Sequence, residues 1–223
     1  MTKREKSERL KTAEKRLREL YPTAECALEF EGDPWRLLVM GRLSAQCTDA
    51  RVNAVSKELF RRFPSARDMA NAPISEIEEI IKPCGLFRMK ADNIKAASKL
   101  LVEKYGGTLP RDMDELLKFP GVGRKIANLL LGDVYGDPCI VCDTHCIRIC
   151  ARLGIYPESE KNAEKIERIL RSLMDVTRGS EFCHRIVIFG REICSARSPR
   201  CDVCPLSDIC GYKMRKESKV KKD

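Results

Sequence analysis

Four cysteines, Cys194, Cys201, Cys204 and Cys210, follow the spacing C-x6-C-x2-C-x5-C. All four fall within seventeen residues, so their thiolates can wrap only one compact centre. Zinc normally takes two close C-x2-C pairs separated by a longer span. Here a single pair is close and the other intervals are wider, which fits the larger [4Fe–4S] cube better. Arg197 and Arg200 lie between the first two of these cysteines, so the ligand loop itself presents positive charge. The other eight, Cys26, Cys47, Cys84, Cys139, Cys142, Cys146, Cys150 and Cys183, are scattered in apolar surroundings and read as small buried hydrophobes.

A second reactive feature is the segment MDELLKFPGVGRKIANLLLGDVYG, residues 113–136. An apolar helix ending near Phe119 runs into Pro120-Gly121-Val122-Gly123, and a second apolar helix follows. Such a turn needs glycine for positive φ and for close backbone approach. It leaves the free N–H groups of the second helix pointing outward at the positive end of its dipole, which makes a sequence-blind phosphate site. A plain αα-hairpin would share the outline. Arg124 and Lys125, however, occupy the first turn, where cations are disfavoured. A lysine held against the dipole is expected to have a lowered pKa and a more nucleophilic amine.

In VCDTHCIRIC, residues 141–150, Asp143 and Thr144 can cap the following helix. Asp143 can also serve as a carboxylate facing Lys125, and His145 reads as a structural hydrogen-bonding residue.

The elements around these residues are almost all helical in pattern. Asp49 is an expected N-cap, followed by Val52, Val55, Leu59 and Phe60 at helical spacing, with Pro64 ending the run. Lys90 to Tyr105, 160–172 and 180–193 repeat the pattern, and CIVC at 139–142 is too short and irregular for a strand. The reading is an all-α chain of about ten helices. Leu10, Ala13, Leu17 and Leu20 form a narrow packing stripe on a charged N-terminal helix. That helix lacks the apolar core of a signal peptide, and no apolar run in the chain approaches the ~20 residues that span a bilayer. The expectation is a cytoplasmic protein without a membrane partner. With 42 Lys and Arg against 33 Asp and Glu, the 223-residue chain carries a formal charge of +9, which suits a polyanion such as nucleic acid.

Taken together, the hairpin, the VCDTH segment and the cysteine spacing resemble the endonuclease III family. The resemblance extends through SAQCTDARV (44–52) and CGLFRMKADNI (84–94), from about Pro34 to Tyr212. It implies two helical lobes with a DNA-binding cleft between them. One is a six-helix barrel over 28–137, with the helix-hairpin-helix at about 113–134. The other joins 1–27 to 138–212 around a [4Fe–4S] cluster, and 213–223 forms a basic tail. By motif match Lys125 takes the place of the family's nucleophile and Asp143 that of its catalytic carboxylate. Gln46 looks like the residue that fills the hole left by an extruded nucleotide. Leu86 is similar to the wedge that enters the base stack, with a core leucine as the alternative. Lys90, Gly121, Gly123, Arg124, Arg197 and Arg200 are further expected DNA contacts. The implied partner is double-stranded DNA containing damaged bases or abasic sites, bound by a monomer associated with the nucleoid. The implied activity is removal of damaged bases, oxidised pyrimidines first, followed by strand cleavage through a lysine Schiff base.

Several residues depart from the family pattern. Phe119 stands where leucine is common and Ile126 where threonine is frequent; Cys142 replaces a small apolar residue, and Gly41-Arg42 interrupts an apolar helix. Two rival readings differ in chemistry. An adenine glycosylase of the mismatch-repair type calls for a glutamate in the 40–48 stretch and a second domain after the cluster. A non-catalytic iron–sulfur DNA-binding module leaves the placement of Lys125 unexplained.

Overall fold

The computed structural model describes the backbone of residues 1–220, and among them it is all-α, without a strand. Twelve α-helices take the place of the expected ten: α1 Lys3–Leu20, α2 Pro34–Leu43, α3 Asp49–Arg62, α4 Ala66–Asn71, α5 Ile74–Ile81, α6 Phe87–Tyr105, α7 Met113–Leu116, α8 Arg124–Tyr135, α9 Thr144–Arg152, α10 Ala163–Arg171, α11 Gly179–Glu192 and α12 Gly211–Val220. The chain divides into two compact units, Cys26–Asp137 and Met1–Glu25 with Pro138–Asp223.

In the unit Cys26–Asp137, α2 is the apolar centrepiece. Asp33 caps it, its Oδ1 accepting from Trp35 N at 2.9 Å, and Pro34 supplies a pre-set φ at the first position. Leu37, Leu38, Val39, Met40 and Leu43 are then buried on all sides by α3, α6 and α8. Each such side chain contributes about 1.5–3 kcal/mol relative to exposure. Trp35 stacks at a tilt on Phe60, 5.4 Å between centroids, and its Nε1 donates to Ser98 Oγ. Helices α4 and α5 pack on α6, which ends at Gly106 in the left-handed region.

In the other unit, α1 opens with a capping box between Thr2 and Glu5. Leu10, Ala13 and Leu17 are fully buried, whereas Leu20 of the expected stripe is 44% exposed. Helices α1 and α9 both pack on α11. Gly190 permits the close crossing of α9 and α11, since a Cβ there would stand 2.3 Å from His145 Nδ1.

Two sequence expectations need correction, and the tail acquires a secondary structure that the sequence reading left open. Thr48, not Asp49, caps α3, its Oγ1 accepting from Arg51 N. The first hairpin helix is only Met113–Leu116, and single turn-like bonds carry the chain on to Phe119. The basic tail is helical as α12 to Val220, while 221–223 lie outside the described residues.

Candidate active site

The hairpin turn between α7 and α8 is built from a buried apolar floor and an open backbone roof. Phe119 and Val122 are buried, and Phe119 stacks on Tyr105 at 5.1 Å. Gly121, at φ 76°, stands over Arg42; a Cβ there would lie 2.6 Å from Arg42 Nε and 2.9 Å from Asn93 Cβ. Glycine is therefore required twice, for its φ and for its lack of side chain. Gly123 caps α8 in an extended conformation with no side-chain cap, and a Cβ on it would meet open space. The first N–H groups of α8 consequently lack the side-chain oxygen that ordinarily closes a helix start, as a phosphate cradle requires. Arg124 is half-buried and Lys125 exposed in this first turn.

Behind the lysine, Ile126 is buried against α2. A Cβ on Gly41 would stand 3.3 Å from Ile126 Cγ2, so the small residue at 41 makes room for the large one at 126. Two departures from the family pattern thus account for each other. Sequence reasoning missed the role of Arg42. Its Nε is buried without a hydrogen-bond partner, and burial holds the guanidinium below its ordinary pKa. The signal available was an arginine inside an otherwise apolar helix.

Gln46 and Leu86 share an unusual backbone. Both are left-handed, at φ 54° and 48°, and both are exposed, Leu86 by 51%. For a leucine that conformation costs on the order of 1–3 kcal/mol, and such strain gathers where a side chain must be held out for a purpose. The alternative of a core leucine at 86 is excluded. Lys90 requires correction too: it is fully buried, and its Nζ donates to Leu43 O at 2.7 Å and to Cys84 O at 2.9 Å. Burial lowers its pKa. A lysine enclosed in this way is not available to a phosphate.

In the other unit, Asp143 is half-buried at the N-cap of α9, where Oδ1 accepts from Cys146 N at 2.7 Å. One oxygen is thereby fixed by the backbone. His145 Nδ1 lies 3.1 Å from Arg148 Nη2.

The cysteine loop follows α11. Cys194, Cys201, Cys204 and Cys210 are all half-buried, and none is in a disulfide. Burial pushes the Cys204 thiol up to about 11, opposed by a bond from Leu206 N–H. Arg152, 7% exposed, forms the wall: Nη1 donates to Cys194 Sγ at 3.2 Å and to Ser195 O at 2.7 Å, and Nη2 to Ala196 O at 2.8 Å. Burial raises the Cys194 thiol, and Arg152 pulls it back toward the thiolate. Arg148 Nη2 adds a bond to Cys194 O at 3.0 Å. Sequence reasoning missed these two arginines, four residues apart on one face of α9. Among the described residues no three His, Cys, Asp or Glu side chains converge on a point that could hold a single metal ion. Four thiolates on one loop match the four irons of a [4Fe–4S] cube. Arg197 and Arg200 are exposed on this loop.

Six of the remaining cysteines are buried, as small apolar residues would be. The neighbouring Cys142, then Cys150 and Cys183, together with complete burial, raise the Cys146 thiol well above its ordinary pKa.

The family model of HhH-GPD superfamily base excision DNA repair proteins matches residues 39–175, and the chain belongs to that superfamily. The model of the iron–sulfur binding domain of endonuclease III matches 194–210, the cysteine segment. Endonuclease III of Bacillus subtilis (strain 168) is 44% identical over 206 residues, covering 92% of this chain and 93% of its own. A non-covalent endonuclease III–DNA complex superposes with a TM-score of 0.90 at 37% identity, over 98% of this chain and 99% of that one. A trapped endonuclease III–DNA covalent intermediate, an estranged-adenine complex, gives the same score and identity over 97% and 99%. Within the superfamily the chain is a member of the endonuclease III family, and it carries that family's [4Fe–4S] domain.

Proposed function

We propose that this chain is a base excision repair DNA glycosylase with an associated abasic-site lyase activity, with Lys125 as nucleophile and Asp143 as catalytic carboxylate. The observation that carries the reading is Lys125 itself: an exposed amine in the first turn of a helix whose N-terminus has no side-chain cap and whose preceding glycine leaves open space. The likeness to a trapped covalent endonuclease III–DNA complex supports a covalent amine chemistry.

A base inside a duplex is out of reach, so the nucleotide must be flipped at a cost of about a few kcal/mol, least for a damaged base. Leu86 and Gln46, held out in left-handed conformations, would enter the stack and fill the vacated space. Neutral Lys125 attacks the anomeric carbon, and the bond to the base breaks with its electron pair leaving on the base. Asp143 stabilises the cationic sugar and moves protons during ring opening. The resulting Schiff base acidifies the neighbouring 2′ proton. Its removal expels the 3′ phosphate by β-elimination and restores an amine after hydrolysis.

Cys194, Cys201, Cys204 and Cys210 would hold the cluster, which when bound supplies a rigid cross-link for the arginine-bearing loop. Arg124, Arg197, Arg200 and the N–H groups after Gly121 and Gly123 would meet phosphates. Oxidised pyrimidines in double-stranded DNA are the proposed substrates. No helix among the described residues is long and apolar enough to cross a membrane. The formal charge of +9 suits a DNA partner, and the proposed form is a monomer working on chromosomal DNA. Incubation with duplexes carrying thymine glycol, an abasic site, or A opposite 8-oxoguanine tests the assignment. Cleavage of the first two and not the third is expected. Cleavage of the third alone would favour an adenine glycosylase, and no cleavage a binding module.

A further inference from the structure

Lys90 projects from the first turn of α6 into the interior of its unit, and solvent reaches none of it. Both acceptors of its ammonium are backbone carbonyls, Leu43 O and Cys84 O. Leu43 is the last residue of α2, three residues before Gln46. Cys84 closes the 3₁₀ turn Lys82–Cys84, two residues before Leu86. One side chain therefore bridges the two segments that carry Gln46 and Leu86, two of the three exposed non-glycine residues with left-handed φ; the third, Glu31, lies elsewhere in the chain. Cys47, next to Gln46, lies near enough to Cys84 to help burial raise the Cys84 thiol above its ordinary pKa. Taking an ammonium out of water is unfavourable, and Arg42 nearby makes it more so. An apolar side chain of like length would fill the space without that penalty. What the amine alone provides is a fixed distance between two chain segments.

We propose that Lys90 is a positioning residue, whose bonds to Leu43 and Cys84 set Gln46 and Leu86 in register so that both enter the duplex together. The inference rests on the reading of Gln46 and Leu86 as the inserting residues.

The test uses the cluster-containing full chain and a duplex with 2-aminopurine opposite a non-cleavable abasic analogue, in which unstacking raises fluorescence. Lys90→Met protein with wild-type cluster absorbance and helical circular dichroism should lose unstacking and duplex base release by ~10-fold or more, the scale of an ångström-sized misplacement. Cleavage of an abasic site in single-stranded DNA, where no partner strand is entered, should stay within about twofold. The loss should not add to that of Leu86→Ala, because both changes act on one insertion. Additive losses, or equal losses on single and double strands, would mean a general structural role and overturn the inference. If Lys90→Met does not fold, Lys90→Gln, shorter and uncharged, is carried through the same cycle. Wild-type unstacking by that variant overturns the inference equally. If Gln46→Ala and Leu86→Ala themselves unstack as wild type does, the failure lies in the loop assignment.

Discussion

Gly121 sits directly on Arg42, with a Cβ at 121 placed 2.6 Å from Arg42 Nε. The turn that would hold phosphate and a half-buried guanidinium on α2 are thus one structural unit. Gly121→Ala should destabilise the protein by about 1–3 kcal/mol, through both the positive φ and the clash. Gly123→Ala, extended and facing open space, should cost less than about 1 kcal/mol. Thermal unfolding followed by circular dichroism compares them, and equal losses would contradict the assigned geometry of the turn.

The arginine wall makes a prediction about the cluster. Anaerobically purified protein should absorb broadly near ~400 nm and contain about four irons. Arg152→Met leaves Cys194 and two carbonyls without their donors and should lower stability by on the order of 3 kcal/mol, because a buried network is broken. Its absorbance should also fade faster in air. Stoichiometric zinc without iron in the wild type would contradict the cluster assignment.

Much of the site was legible because its signals are local. The cysteine spacing and the Pro-Gly-x-Gly turn lie within short stretches of chain, so loop geometry alone restricts what they can do. Lys90 was misread because sequence spacing does not show whether a lysine in the first turn of α6 faces solvent or the carbonyls of Leu43 and Cys84. The Gly41–Ile126 pairing was invisible for a related reason: each looked like an isolated departure, and only packing of α2 on α8 joins them. Left-handed φ at Gln46 and Leu86 could not be read from side-chain type, since neither residue favours it. Thr48 and Asp49 are both good caps, and a one-residue shift of the helix start decided between them.

Glu115 gathers three donors, Lys118 Nζ at 2.5 Å, Tyr105 OH at 2.6 Å and Lys104 Nζ at 3.0 Å, and the Lys118 bond first, with the other two, holds its pKa down to about 2. A carboxyl depressed in the folded state contributes stability that is present above its unfolded pKa near ~4.3 and lost as pH falls toward 2. Glu115→Gln should therefore flatten the fall in stability between about pH 4.5 and pH 2. Denaturant titrations across that window check it, and an unchanged slope would show that Glu115 is not a contributor.

Affinity for undamaged duplex should fall steeply with added salt, with a log–log slope of magnitude at least ~3, since several Lys and Arg contacts release counterions. Arg197→Ala and Arg200→Ala should each lower that slope by about 1 without changing the cluster absorbance. Fluorescence anisotropy over a salt series measures both, and a salt-independent affinity would remove the basic surplus from the DNA face.

Asp143→Asn keeps a side-chain oxygen for the cap on Cys146 and should preserve fold and binding. Base release in single-turnover assays should slow by roughly 10²-fold or more, the scale for losing a positioned acid–base or electrostatic group. A wild-type rate would leave Asp143 as a helix cap alone.

The most direct measurement is borohydride trapping on DNA containing an abasic site, followed by digestion and mass mapping of the modified peptide. The adduct should fall on Lys125, and Lys125→Ala should abolish trapping while leaving the cluster absorbance and much of the DNA affinity in place. An adduct on any other amine, or a Lys125→Ala protein trapped at the wild-type rate, would contradict the placement of the reaction at this hairpin.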